Sequence, residues 1–299
     1  MGQIEDLSLF VDIVDQRSIT KAAEKLNVAK SAVSRRLSML ESRYETKLID
    51  RVPGTWAVTE TGQELYQRAV RAILDMDELE SDFTNPAAEL SGPLSVSVPR
   101  DFGLSYLDKA LLAFKRDHPG IALSIDFEDR IIDLDRENYD FAIRITGAKL
   151  NDLFVHRIGS VKHALYASSD YLEHHGVPTS IDDLQNHQLI SYGSVRRASW
   201  EFIDEKNKLS TIKFRPFLST NSGQFLLRSA LDGSGIARLP DFILHDADNR
   251  QKLVEVLPET IIPEWGIYLL FSDNRRLNRR MKLFLDEMKK ACKPINTGP

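Results

Sequence analysis

The sequence predicts an α/β chain that opens with a winged helix-turn-helix and a long helix. Small, apolar and basic residues recur at helical spacing between Ser18 and Gly62, and an apolar heptad pattern follows from Leu65. From Leu94 onward, short apolar runs typical of strands alternate with amphipathic helical patterns. That order is typical of layered sheets and helices.

The segment from Ser18 to about residue 40 has the pattern of two helices joined by a short turn. The Ser18 hydroxyl is suited to cap the first helix, Asn27 and Val28 form the turn, and the second helix starts at about Lys30. The predicted inward-facing side chains are Ala22, Ala23, Leu26, Val33, Leu37 and Leu40. Two alanines at the crossing allow the close approach of a helix-turn-helix.

The polar face of the second helix carries side chains that are able to bind DNA. In a helix-turn-helix this helix enters the major groove, where Lys or Arg bonds guanine and serine hydroxyls bind phosphate or bases. The candidates are Lys30, Ser31, Ser34, Arg35 and Arg36. From Arg17 to Arg36 six basic residues face one acidic residue, although the whole chain has a net charge of -5. DNA binding should therefore be local to this segment, the alternative being an ordinary solvated basic face.

Two short strand patterns follow, at about residues 48–51 and 56–59, around the turn Val52-Pro53-Gly54-Thr55. Pro-Gly is a strong turn signal, so we expect a β-wing. Arg51 and Thr55 would then reach the sugar–phosphate backbone beside the groove.

A long acidic helix is predicted to start near Thr59. Its apolar residues alternate spacings of four and three, the pattern of helices that pair: Leu65, Ala69, Ala72, Met76, Leu79 and Phe83. Eight acidic residues face two basic ones between Glu60 and Glu89, and such a helix repels DNA. We therefore expect dimerisation through this seam, the alternative being that the seam packs on its own domain.

The rest of the chain predicts a mainly parallel sheet system in two lobes. Strand patterns begin at Leu94, Ile121, Tyr139, His163, Gln188, Gly235 and Trp265, and helical patterns cover residues 104–118, 131–136, 222–232 and 277–291. Ligands bind such sheets at the carboxyl ends of strands. The candidates for the ligand cleft are therefore Pro99, Arg100, Asp101, Phe102, Arg144, Thr146, Asn221, Ser222 and Gly235. Arg100 and Asp101 could instead form a surface ion pair.

Several functional classes lack support in the sequence. No nucleotide-binding glycine loop, G-x-S-x-G elbow or metal-ligand spacing is present, so we expect neither an enzyme nor a bound cofactor or metal. Cys292 is the only cysteine, which rules out an internal disulfide. The acidic N-terminus and the lack of an 18-residue apolar run predict a cytosolic chain without a membrane span. A plain ligand-binding protein with a vestigial N-terminal domain is the second alternative.

The sequence closely resembles the LysR-type transcriptional regulators over essentially its whole length. The resemblance is strongest in the motifs AAEKLNV, SAVSRRLSMLE, KLIDR and VTETGQELY, and weaker in DLDRENYD, FAIRI and GSGIARLP. It implies a winged helix-turn-helix over 1–59 (helix-turn-helix about 19–38), a dimerising linker helix over 60–90 and a periplasmic-binding-protein-like effector domain over 92–299. The first lobe would comprise about 92–161 plus 266–293, and the second about 162–265.

The same resemblance implies partners and a mechanism. Members of the family usually assemble as homotetramers, as dimers of dimers, and bind promoter DNA and a small-molecule effector that lies between the lobes. RNA polymerase is a further partner in this interpretation. The effector would change how the dimers assemble and bend the DNA.

The chain departs from the family pattern at several positions, one of them near Gly54, where a second wing arginine is replaced. Ala29-Lys30 replaces Ser-Gln at the start of the recognition helix, so operator preference does not transfer. Ile49 replaces the usual aromatic residue before the wing, and Arg100-Asp101 replaces a serine or threonine in the cleft. Asp101 argues against a simple anionic effector unless Arg100 or Arg144 offsets its charge.

Overall fold

The computed structural model describes residues 2–50, 56–84, 90–130, 132–134, 137, 139–148, 154–193, 195–203, 208–245, 251–271 and 277–293. Within these ranges only the backbone is described at 78, 81–84, 154 and 245. The chain forms two compact units, residues 1–93 with 120–122 and residues 94–119 with 123–299. None of the described helices is long and apolar enough to cross a membrane.

The first unit contains helices and a two-stranded hairpin. Its elements are α1 (Gln3–Asp15), α2 (Ile19–Lys25), α3 (Lys30–Arg43), β1 (Ile49–Asp50), β2 (Ala57–Val58) and α4 (Glu60–Thr84). Strands β1 and β2 pair antiparallel, with Ile49 opposite Val58. The two strands predicted at the base of the wing are thus present, while the turn between them lies outside the described residues.

The helix-turn-helix follows the predicted pattern closely. The Ser18 hydroxyl accepts a hydrogen bond from the Lys21 N–H at 3.3 Å and caps α2. Asn27 has a φ of 52°, the left-handed conformation that turns the chain toward α3. Leu26 differs from the prediction, because it ends α2 and is 38% exposed rather than buried.

Helix α1, which the sequence interpretation did not include, completes the core of this unit. The buried cluster comprises Leu9, Phe10, Ile13, Ala22, Ala23, Val33, Leu37, Leu40, Leu48 and Ile49. Helix α1 also packs along α4. Each helix of the unit therefore buries one apolar face against the others.

The apolar seam of α4 is divided between two environments. Leu65 packs on the core of its own unit and Ala69 is buried, whereas Ala72, Met76 and Leu79 are exposed. The predicted dimerisation role of Leu65 and Ala69 is accordingly corrected, because α1 supplies the apolar partner that these side chains need. The side chain of Phe83 lies outside the described residues.

The second unit contains two five-stranded sheets. The first has the strand order β4-β3-β5-β14-β6, and the second has the order β11-β8-β12-β7-β13. The strands of the first sheet are β3 (Gly92–Val98), β4 (Ile121–Phe127), β5 (Phe141–Thr146), β6 (Phe154–Val161) and β14 (Trp265–Phe271). Those of the second sheet are β7 (His163–Ser168), β8 (Leu189–Tyr192), β11 (Leu218–Thr220), β12 (Ile236–Pro240) and β13 (Leu253–Val256). A separate hairpin pairs β9 (Ala198–Ile203) with β10 (Leu209–Phe214).

Both sheets are mixed rather than mainly parallel, so that part of the prediction is wrong. Strand β3 runs parallel to β5, and β8 runs parallel to β11 and β12. Strand β14 runs antiparallel to β5 and β6, while β7 runs antiparallel to β12 and β13. The antiparallel strands are those that carry the chain from one sheet to the other, namely β6 into β7 and β13 into β14.

The helices of the second unit pack beside these sheets. They are α5 (Arg100–Phe102), a π-helical turn (Gly103–Leu107), α6 (Asp108–Asp117), α7 (Ser169–His175), α8 (Gly223–Leu231) and α9 (Arg279–Ala291), with 3-10 turns at Asp182–Asn186 and Asp241–His245. Phe284 of α9 contacts Phe114 of α6 and Phe141 of β5, with ring centroids 5.1 and 5.6 Å apart. Of the helix predicted over 131–136, residues 132–134 are not helical and residues 131, 135 and 136 lie outside the described part.

A buried carboxylate ties α3 to the base of the wing. Glu41 is 4% exposed, and its Oε1 accepts hydrogen bonds from the backbone N–H groups of Leu48 (3.1 Å) and Ile49 (3.4 Å). Lys47 Nζ lies 3.3 Å from the other carboxylate oxygen. The buried donors at the start of β1 therefore depend on one side chain of α3.

We expect Glu41→Ala to loosen this junction. A buried donor that loses its acceptor costs about 1–3 kcal/mol, so local stability should fall by at least that amount. Hydrogen exchange on the intact chain should show faster exchange at Leu48 and Ile49. Ser42→Ala, at the exposed neighbouring position of α3, should leave both amides protected. Equal protection in the two variants would contradict this role of Glu41.

Candidate DNA-binding surface and ligand cleft

Helix α3 divides its side chains between a buried and an exposed face. Val33, Leu37 and Leu40 fill the core, while Lys30, Ser31 and Arg35 are exposed and Ser34 is half-buried. Lys30 and Arg35 form no ion pair with any described residue. Their charges are thus available to an external anion.

Arg36, predicted as a further DNA contact, has a different position. Its Nε donates to Asp6 Oδ1 at 2.9 Å and its Nη2 lies 2.8 Å from the same oxygen. Arg43 approaches the other Asp6 oxygen at 3.7 Å. Arg36 therefore holds α3 against α1, which argues against the predicted DNA contact.

The remaining basic residues near α3 differ in whether their charge is paired. Lys25 pairs with Asp12 at 2.5 Å, so its charge is offset within the unit. Arg17 and Lys21 are exposed and form no ion pair with a described residue. Arg51 and Thr55 lie outside the described residues.

A cavity of about 410 Å³ lies between the two sheets of the second unit. That volume falls within the range of about 300–1,000 Å³ that is typical of small-molecule sites. Four of the predicted cleft residues line it, namely Pro99, Asp101, Phe102 and Arg144. Most of the other lining side chains are apolar, and the polar ones that sequence reasoning missed are Asp129, His163, Ser191, Tyr192, Arg197, Ser199 and Arg238.

Five predicted cleft residues do not line the cavity. Three of them form local hydrogen bonds that involve the backbone. Ser222 Oγ caps α8 by accepting from the Phe225 N–H, and Thr146 Oγ1 accepts from the Ala148 N–H. Arg100 donates its backbone N–H to Asp129. Gly235 has a φ of 147°, and a Cβ there would lie 2.3 Å from the Gln188 carbonyl oxygen. The glycine thus allows close packing of β12. Asn221 is exposed outside the cavity.

Asp101 connects the two sides of the cleft. Its Oδ2 accepts hydrogen bonds from the backbone N–H groups of Gly223 and Gln224, the latter at 3.3 Å. Gly223 permits this approach, since a Cβ there would lie 2.4 Å from Ile243 Cδ1 and 3.1 Å from the carboxylate. The carboxylate thereby occupies the positive N-terminal end of α8. Among the described residues, Arg100 and Asp101 do not form the surface ion pair that the sequence left open.

Two further hydrogen bonds join the same sides. Gln224 Nε2 donates to Ser105 Oγ at 3.3 Å, and the Tyr192 hydroxyl bonds Asp129. Burial raises the pKa of Asp129 and that of Tyr192. The acidic groups of the cleft wall therefore already have donors within the chain.

Arg144 lines the cavity, but its guanidinium is bound within the chain. It donates to Ile143 O at 2.6 Å, Ser97 Oγ at 2.9 Å and Arg130 O at 3.1 Å. Burial lowers its pKa, and the charges of Asp129 and Glu128 oppose that effect. Arg144 therefore stabilises the strand ends beside the cleft.

Arg238 and His163 lie in the second part of the wall, beside Trp265. Arg238 Cζ is 4.7 Å from the centre of the Trp265 ring, and the His163 ring lies 4.8 Å from the same side chain. Burial lowers the pKa of Arg238 to about 10 and that of His163 to about 3. Near neutral pH, Arg238 is thus charged and His163 is neutral.

The described residues contain no group of three or more His, Cys, Asp or Glu side chains that could hold a metal ion. Cys292 is buried, and burial raises the pKa of its thiol to about 12. A thiol in that state is a poor nucleophile.

Comparison with known proteins gives the same two-part division. Residues 4–63 match the model of bacterial regulatory helix-turn-helix proteins of the lysR family, and residues 87–293 match the LysR substrate binding domain. An HTH-type transcriptional regulator of Haemophilus influenzae is 34% identical over 93% of this chain and 96% of its own length. The regulator YhjC of Escherichia coli is 31% identical over 95% of this chain and 96% of its own length.

A solved structure agrees with these sequence relatives. CrgA, a LysR-type transcriptional regulator from Neisseria meningitidis, has 28% identity and a TM-score of 0.58, and the match covers 97% of this chain and 99% of CrgA. These relatives are regulators rather than enzymes, as the sequence predicted, and the predicted winged-helix and two-lobed fold class is confirmed. The chain therefore belongs to the LysR family of transcriptional regulators, with a helix-turn-helix DNA-binding domain and a substrate-binding effector domain.

Proposed function

We propose that this regulator places α3 in the major groove of promoter DNA and reads it with Lys30, Ser31, Ser34 and Arg35. The single observation that carries the proposal is that Lys30 and Arg35 are exposed on α3 and form no ion pair with any described residue. Phosphate contacts by Arg17 and Lys21, and by Arg51 and Thr55 of the wing, would add sequence-independent affinity. A regulator that binds chromosomal DNA acts in the cytosol.

The exposed part of the α4 seam supports the proposed assembly. Met76 is 38% exposed and Leu79 is 54% exposed, and apolar side chains of this size at heptad spacing favour helix pairing. We place the dimer contact at Ala72, Met76, Leu79 and Phe83, and propose a dimer of dimers as the working assembly. RNA polymerase would be the partner that this assembly contacts at the promoter.

The cavity between the lobes is the proposed effector site. An effector there would contact Pro99, Asp101, Phe102 and Arg144 from one side and the ends of β8 and β12 from the other. Three hydrogen-bonded links between described residues cross the cleft, so a ligand that favours a different lobe angle has to alter them. Coupling of this kind is typically worth about 1–3 kcal/mol, or roughly 5- to 150-fold in affinity.

We expect Arg35→Ala to weaken operator binding by about 1–3 kcal/mol if Arg35 reads a base. Duplexes selected from a random pool provide the operator, and fluorescence anisotropy at fixed salt gives the affinity. Arg116→Ala removes the same charge from the exposed surface of α6 and should bind DNA like the parent chain. Unchanged operator affinity in Arg35→Ala would contradict the assignment.

Arg36→Ala distinguishes a role of Arg36 in stability from a role in DNA binding. It should lower the melting temperature because Asp6 loses its nearest partner, yet at a temperature where it is folded it should bind the operator nearly as tightly as the parent chain. Thermal unfolding and anisotropy measure the two effects. A loss of affinity as large as that of Arg35→Ala, with unchanged melting, would restore Arg36 as a DNA contact.

Leu79→Glu should disrupt the proposed dimer. It places a charge in the exposed apolar seam, where burial of an unpaired carboxylate is costly. Sedimentation velocity should show smaller species than for the parent chain. Gln63→Glu adds the same charge at an exposed position of α4 outside the seam and should leave the assembly intact. If Leu79→Glu sediments like the parent chain, the seam is not the contact.

A further inference from the structure

Two polar side chains of the second lobe share one face of its sheet. In the antiparallel pair of β7 and β12, His163 lies opposite Pro240 and Leu165 lies opposite Arg238. Side chains two residues apart in a strand point to the same face, so His163 and Arg238 project together. Both line the cavity, as does Trp265 from the start of β14.

The Arg238 guanidinium has no hydrogen bond or ion pair to any described residue. One side of it is covered by the Trp265 ring, and among the described residues Glu201, exposed on β9, is the only acidic side chain that raises its pKa. Arg144 in the same cavity wall donates to four oxygens of the chain. A largely buried guanidinium with open donors is a costly arrangement that a bound anion would relieve.

His163 adds a second unpaired polar atom beside the Arg238 guanidinium. Its Nδ1 is buried and has no hydrogen-bond partner in the part of the chain that the structure describes. Because the imidazole is neutral near pH 7, it offers a hydrogen bond rather than a second positive charge. A ligand oxygen at this place would meet one cation and one neutral polar atom.

The acidic part of the wall does not suit an anion. Asp101 accepts from the N-terminus of α8, and Asp129 accepts from Arg100 and Tyr192, so both carboxyl groups already have hydrogen-bond donors within the chain. Between the polar groups, the wall consists of apolar side chains such as Ile190, Leu226 and Phe242. Arg238 is the largely buried guanidinium of this wall, while Arg197 at the same cavity is exposed to solvent, so one buried cation balances one negative charge and a dianion is disfavoured.

We propose that the effector is a monocarboxylate with an apolar body, whose carboxylate binds Arg238 and the Nδ1 edge of His163 while its body fills the apolar part of the cavity. This inference rests on the proposed effector role of the cavity. It makes Arg238 a specificity-determining residue, and it places the negative charge of the ligand away from the α8 N-terminus, which Asp101 already occupies.

The test uses three matched pairs of probes with the full chain at pH 7.5: benzoate and benzamide, phenylacetate and phenylacetamide, hexanoate and hexanamide. Titration calorimetry should show that at least one carboxylate binds, and that its neutral amide binds at least about tenfold more weakly, as expected for a lost charge-assisted hydrogen bond. Arg238→Gln should remove this preference, and Arg238→Lys should retain part of it. His163→Phe, which keeps the ring against Trp265, should weaken carboxylate binding by a smaller factor.

Arg197→Gln is the matched control, because Arg197 is an exposed cation at the same cavity. The carboxylate preference should survive it. The proposal is overturned if none of the three carboxylates binds, if an amide binds as tightly as its acid, or if Arg238→Gln keeps the preference. Operator binding by the same samples, measured without a probe, separates these outcomes from a failure of the DNA-binding proposal.

Discussion

An arginine side chain carries five N–H donors and a permanent charge, so a partly buried guanidinium needs acceptors or it destabilises its surroundings. The chain supplies hydrogen-bond acceptors for some of its arginines, while others have none among the described residues. Arg36 is held by Asp6 and Arg144 by the oxygens of neighbouring strands. Arg238 is largely buried and Arg35 is exposed, yet neither has such a partner among the described residues, and these are the two arginines to which we assign an external anion.

The same reasoning applies to the acidic residues of the cleft. Asp101 occupies the N-terminus of α8, where backbone N–H groups and the helix dipole favour a negative charge. A ligand carboxylate could reach these N–H groups only by displacing Asp101. Asp101 therefore has two effects. It links the two lobes, and it occupies the N–H groups at the α8 N-terminus that could otherwise bind a ligand anion. Where the resemblance implies a serine or threonine, this chain has an aspartate whose carboxylate already uses these N–H groups.

The first unit could be predicted largely from local sequence patterns, whereas contacts between residues distant in sequence could not be predicted. The Ser18 cap, the Ala22-Ala23 crossing and the start of α3 depend on neighbours in sequence, and all were predicted. The partner of Arg36 is 30 positions away, and nothing in the periodicity of α3 indicates it. The β9 strand alternates buried Trp200 and Phe202 with exposed residues, a signal that was present and was missed.

The cleft was harder to predict because its wall is assembled from strands that are remote in sequence. His163, Arg238 and Trp265 begin or occupy three different strands, and only the strand register brings the first two onto one face. Rules that place ligands at the carboxyl ends of parallel strands found Pro99, Asp101, Phe102 and Arg144, but β7 and β14 run antiparallel to their neighbours. Their cavity-lining residues, His163 and Trp265, lie at the amino ends of these strands.

The division of the α4 seam shows why an amphipathic pattern alone does not identify an interface. One continuous stripe contains Leu65 and Ala69, which α1 and the core cover, and Met76 and Leu79, which remain exposed. The spacing of these residues is the same in both halves, so periodicity cannot distinguish them. What differs is their surroundings, because the core that includes α1 covers Leu65 and Ala69, whereas Met76 and Leu79 are exposed among the described residues. A second copy of the helix would supply a partner of matching period, and that is the physical argument for the proposed pairing through Ala72, Met76 and Leu79.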